Sequence, residues 1–87
     1  MNRTDAIHAA IATLAPESYT LDDESAAHAG HAGAKSGGGH YNLTIVSPKF
    51  RDLNTLARHR LVYAAMGELM QREIHALSIT ALTPEEL

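Results

Sequence analysis

The chain has 87 residues, a formal net charge of −3 with its six histidines neutral, and no cysteine. That length supports one domain, residues 1–87, with a modest core, and the acidic balance argues against holding nucleic acid by bulk attraction. Without thiols the chain forms no disulfide and holds no iron–sulfur cluster on sulfur ligands of its own. No basic segment precedes an apolar run at the start, and no apolar stretch approaches the roughly 20 residues that span a bilayer. A cytoplasmic chain with no membrane contact is therefore expected.

In chain order, Ile7, Ala10, Ile11 and Leu14 recur at i, i+3, i+4, i+7 and predict a first helix. Thr4 or Asp5 is the expected cap and Pro16 the stop, with His8 facing solvent. Residues 18–23 alternate, with Tyr19 and Leu21 on one side, and read as a half-buried strand. A second strand is expected from about His40 to Ser47, carrying Tyr41, Leu43 and Ile45 inward, and Pro48 ends it. Between them, residues 24–39 hold five glycines and no bulky apolar side chain. Such a segment cannot form core and is expected to be an exposed, mobile loop.

Phe50 and Leu53 should tuck inward before Asn54 or Thr55 caps the main helix, expected from Leu56 to Gln71. Its buried side is read as Leu56, Val62, Tyr63, Met66, Leu69 and Met70, with Gly67 allowing close packing or a kink. Ile74 to Leu82 is the third strand, and Thr83-Pro84-Glu85-Glu86 a closing helical turn with Thr83 as cap and Pro84 at its first position. The class is mixed α/β (α+β), in the order α-β-β-α-β with a helical tail.

This order brings histidines together. A strand–helix–strand crossover makes strands two and three parallel, so both start at one end of the sheet. Strand two begins where the loop carrying His28 and His31 ends. His75, second in strand three, should therefore lie at the same edge, and neighbouring strands are only about 4.8 Å apart. By alternation with Leu77 and Ile79, His75 is expected on the helix-covered face at its rim. The alternative for His75 is a rim imidazole bonded to a carbonyl. His40 either orients a ligand or pairs with backbone, and His59, beside the buried stripe, reads as structural.

Residues 49–60 concentrate positive charge: Lys49, Arg51, Arg58 and Arg60 stand against Asp52. They are candidate phosphate contacts, or simply a solvated face. No nucleophile stands with a base and no carboxylate pair suits acid–base work, so the chain is not expected to be an enzyme.

Several separated motifs resemble the BolA family. They are Asp23-Glu24-Ser25 followed by His28, Gly38-Gly39-His40-Tyr41, and Ile45-Val46-Ser47-Pro48-Lys49-Phe50. They continue through Arg58-His59-Arg60-Leu61-Val62-Tyr63, Ile74-His75-Ala76-Leu77 and Leu82-Thr83-Pro84-Glu85-Glu86. The resemblance implies a class II KH-like αββαβ domain, a three-stranded sheet with helices packed on one face. It also implies a monothiol glutaredoxin as partner and a [2Fe–2S] cluster shared with that protein and its glutathione. In such a complex the cluster ligands from this chain would be His75 and the loop residue His28, with His31 as the alternative loop ligand.

The expected role is thus an adaptor in cluster assembly, trafficking or iron regulation. It would be a monomer alone and a heterodimer with its partner, with no cluster bound tightly by the isolated chain. The alternative implied by the family is a DNA-binding transcriptional regulator of stress response and cell morphology, using Lys49, Arg51, Arg58 and Arg60. Against RNA recognition in the KH manner, the stretch Ser47 to Thr55 lacks the glycine-bearing loop that clamps phosphates. Adventitious zinc, copper or nickel on His28, His31 and His75 is a third reading.

Overall fold

The computed structural model describes residues 2–24 and 39–87. Helix α1 (Arg3–Ala12) leads into strand β1 (Ser18–Asp23), and β2 (Gly39–Val46) is followed by a 3₁₀ turn at Pro48–Phe50. Then come α2 (Thr55–Met66), the short α3 (Leu69–Arg72), β3 (Ile74–Leu82) and a 3₁₀ turn at Pro84–Glu86. The mixed α+β class and the predicted order hold, and the sheet order is β1-β2-β3. The β1–β2 pair is antiparallel and the β2–β3 pair parallel.

Local chemistry accounts for the boundaries. Asn2, rather than Thr4 or Asp5, caps α1, its side chain accepting the Asp5 N–H at 2.8 Å. Asn54 does the same for α2 through the Ala57 N–H at 2.8 Å. Either way a short side-chain oxygen satisfies an amide that the helix itself leaves without a partner. The main helix does not run on to Gln71. Gly67, at φ 55° and ψ −129°, ends α2, and the chain restarts as α3.

Ile7, Ile11 and Leu14 pack on Tyr41, Leu43 and Ile45 of the central strand, and Phe50, Val62, Met66, Ile74 and Ala81 complete the core. Two residues assigned to the buried side of the main helix lie outside it: Leu56 is 59% exposed and Tyr63 41% exposed. The covered face keeps Val62 and Met66 and adds Arg58, Leu61 and Ala65 in place of Leu56 and Tyr63. Ser47 is fully buried beneath the α1 terminus, donating its hydroxyl to Leu14 O at 2.6 Å while accepting the Lys49 N–H.

The start of β3 departs from simple alternation. Gly39 pairs with Ile74 but His40 pairs with Ala76, so β3 carries one extra residue, His75, at that point. A bulge of this kind shifts the face that each side chain takes. Ile74 therefore reaches the core, at 4% exposure, and His75 is turned out of it. The expectation that His75 would share the face of Leu77 and Ile79 is corrected. Burying the Ile74 side chain is worth roughly 1.5–3 kcal/mol, whereas an unpaired imidazole in its place would cost free energy.

Candidate functional site

Three chain segments meet at one edge of the sheet. Asp23 pairs with Tyr41, and the Glu24 N–H donates to His40 O at 2.8 Å, closing the end of β1 against the start of β2. On the other side the Gly39 N–H donates to Glu73 O at 3.0 Å, tying β2 to the entry of β3. Segment 25–38 leaves and returns at this edge, from β1 to β2. His75 is placed here too, so the edge inferred from the parallel crossover is the one observed.

The His40 and His75 rings lie side by side, centroids 5.0 Å apart and planes tilted by 40°. The bulge produces this pairing. His40 sits on the sheet face opposite Tyr41 and Leu43 and is half-buried, and the extra residue in β3 brings the exposed His75 onto the same side. Sequence reasoning treated His40 as a possible orienting residue but did not foresee this contact, because alternation counted from Leu77 sends His75 to the other face. His28 and His31 lie outside the described residues. Among the described residues no group of three or more His, Cys, Asp or Glu side chains stands ready to hold a metal ion.

The edge rests on a polar frame. Arg3, in the first turn of α1, donates Nε to Glu73 at 3.3 Å. A hydrogen bond with Tyr41 and, after it, the bond to Glu73 hold the Arg3 guanidinium above its ordinary pKa, outweighing partial desolvation. Gly39 lies directly beneath. A Cβ there would come 2.5 Å from Tyr41 Cε2 and 2.8 Å from Arg3 Nη1.

The four cations behave differently. Arg51 forms a two-point bridge to Glu85 (Nε–Oε1 2.7 Å, Nη2–Oε2 2.5 Å). Arg58, largely covered, donates to Leu53 O, to Ala81 O and to Glu86 Oε1 at 2.8, 3.0 and 2.6 Å. Lys49 Nζ reaches Thr13 O at 3.2 Å, and Arg60 is exposed on α2. Arg51 and Arg58 meet the acidic tail at the end of the sheet where β3 finishes, opposite the imidazole edge. The signal in the sequence was Glu85-Glu86 itself, a pair of carboxylates brought back to the basic stretch. His59 is half-buried on α2, and the exposed His8 holds Nδ1 2.7 Å from the Tyr19 hydroxyl.

Comparison with known proteins assigns this arrangement to a family. The BolA-like protein model matches residues 11–86. Protein BOLA1, chloroplastic, of Arabidopsis thaliana is 43% identical over 76 residues, covering 84% of this chain and 48% of that protein. The DNA-binding transcriptional regulator BolA of Haemophilus influenzae is 32% identical over 71 residues, covering 82% of this chain and 66% of that one. The chain thus spans about half the length of BOLA1-type relatives. The solved structure of BolA1 from Arabidopsis thaliana superposes with a TM-score of 0.85 at 38% identity, covering 100% of this chain and 97% of that one. Sequence and fold together make this chain a member of the BolA-like family.

Proposed function

We propose that the chain is a cluster-handling adaptor that docks a monothiol glutaredoxin and co-ligates a [2Fe–2S] cluster with it, acting in cluster assembly, trafficking or iron regulation rather than as an enzyme. One observation carries this reading. A β-bulge takes His75 out of the core and sets it in the open beside His40, at the edge where segment 25–38 begins and ends. An imidazole kept out of the apolar interior and placed at a rim is available to a second molecule.

The donor chemistry fits a shared site. Two imidazoles and no thiolate cannot close the ligand set of a cluster, so the sulfur must come from elsewhere. His75 would donate from the sheet edge and, by family resemblance, His28 from the loop, with His31 as its alternative. The partner's cysteine and glutathione would complete the set. A cluster held partly by histidine has a higher reduction potential than one held by cysteine alone. Each ligating imidazole must be neutral, so forming the complex displaces any proton that the ring carries.

The nucleic-acid reading has less support. Arg51 and Arg58 are already engaged by Glu85 and Glu86, and Lys49 by a backbone carbonyl. A phosphate would have to displace those partners.

The test is a titration of the chain with a glutaredoxin carrying its cluster, followed by visible absorption and circular dichroism. The spectrum changes with the unaltered chain, does not change with His75→Ala, and changes less with His28→Ala. An unaltered spectrum with the unaltered chain refutes the adaptor role.

A further inference from the structure

We infer that the outer flank of β3 is a pairing surface for a second copy of this chain, the two β3 strands joining antiparallel about Ser78 to make one continuous sheet. The interface needs no cluster, no loop histidine and no glutaredoxin. The monomer expected of the isolated chain is then its dilute form.

β3 is a lateral strand, with β2 on one side and no strand on the other among the described residues. Two bonds fix the direction of its backbone groups. Leu82 O accepts the Ser47 N–H at 2.9 Å and so turns toward β2, whereas Ala81 O turns outward to Arg58 Nη1 at 3.0 Å. The ladder with β2 is regular from Ala76 to Leu82, and backbone groups alternate sides residue by residue along a strand. Ala76, Ser78 and Thr80 therefore face β2 with their backbone groups, and the N–H and C=O of Leu77 and Ile79 point outward.

Both ends of this flank are blunted. The His75 bulge interrupts it before Ala76, and the Arg58 guanidinium takes the carbonyl of Ala81. Residues 76–80 stay open between them, centred on Ser78, with no charged side chain and no proline. Charges and prolines are the usual devices that keep a lateral strand from pairing, and this stretch lacks both.

The symmetry of the opening selects a second copy. A two-fold axis at Ser78 sets Leu77 of each copy against Ile79 of the other, an antiparallel pair that exchanges both backbone bonds. Their side chains are half-buried against the core and would cover one another across the junction. Ala76 and Thr80, small and exposed on the open face of the sheet, meet in the same way. No like charges are brought together.

The experiment is sedimentation velocity of the full chain from about 10 μM to 1 mM, the range of weak specific association. Oxidative cross-linking of single-cysteine variants accompanies it, and the absence of native cysteine makes that reading unambiguous. Ser78→Cys sets two thiols across the axis in a non-hydrogen-bonded pair, with Cα atoms about 4.5 Å apart, and should cross-link. Thr80→Cys, facing Ala76 of the other copy, and Thr20→Cys, on β1, should not. Ser78→Lys puts like charges opposite each other and should weaken self-association at least about tenfold, with unchanged far-ultraviolet circular dichroism. In the unaltered chain the Leu77 and Ile79 N–H groups should gain protection from hydrogen exchange as concentration rises. Should a variant fail to fold, that dependence decides the matter unaided. A chain that stays monomeric throughout overturns the inference, as does a dimer indifferent to Ser78→Lys. Protection of Leu77 and Ile79 that appears only on adding a glutaredoxin gives the flank to that partner and also overturns it. No cluster is present here, so failure leaves the adaptor reading standing, and failure of the glutaredoxin titration leaves this interface standing.

Discussion

Gly39 controls how closely the first turn of α1 approaches the sheet. Its backbone sits under the Tyr41 ring and the Arg3 guanidinium, where no Cβ fits without displacing both of them. In Gly39→Ala the Tyr41 ring and the end of the Arg3 side chain must both move. The expected cost is about 1–3 kcal/mol, the usual range for overpacking a close-fitted site, read as a lower urea midpoint with an unchanged slope. In the sequence Gly39 is merely the last of three consecutive glycines, and reading it as loop was reasonable. Its burial depends on Arg3, thirty-six positions earlier, which local composition cannot reveal. Ser47 is a similar case. A serine before a proline reads as a strand end, yet its hydroxyl satisfies the carbonyl of Leu14, just past the end of α1.

At the scale of elements, the break between α2 and α3 is a backbone decision made at Gly67. Propensity alone says that alanine at a helical position is better than glycine by about 1 kcal/mol. The conformation there, φ 55° and ψ −129°, is one that L side chains rarely adopt. Gly67→Ala should therefore destabilise by about 1–3 kcal/mol, and a urea melt that shows stabilisation would restore the continuous helix.

The closing turn gives a pH prediction. Arg58, followed by the Thr83 backbone N–H, holds the Glu86 carboxyl down at about 2 against an ordinary 4.5, and Arg51 lowers Glu85 in the same direction. A carboxyl depressed in the folded state contributes stability above its unfolded value, and that contribution is lost as pH falls through the folded one. The thermal midpoint should decline between about pH 4.5 and 2, and Glu86→Gln should flatten that decline. The capping residues and the proline made this turn legible in sequence. Its ion pairs were not, because they join residues about thirty positions apart.

For the molecule as a whole, the order of elements and the meeting of strand starts followed from one rule, that a crossover connection makes its two strands parallel. That rule placed His75 at the edge where segment 25–38 departs, and the register confirms it. Apolar periodicity found most of the core, from Ile7 and Ile11 to Leu43, Ile45, Val62 and Met66. It misassigned Leu56 and Tyr63 because the covered arc of a helix is set by what lies against it. The α2 stripe facing β3 includes the stem of Arg58, a residue that polarity alone sends to the surface.

By itself the sequence determined the class, the bounds of β1 and β3 and the edge at which β2 and β3 both start, since periodicity, caps and connection lengths are local properties. Tertiary structure alone decided that β2 is central, that the bulge turns His75 toward His40, and that the acidic tail takes up Arg51 and Arg58. Each of these depends on pairing between distant segments. A one-residue slip in such pairing reverses the face of every side chain beyond it.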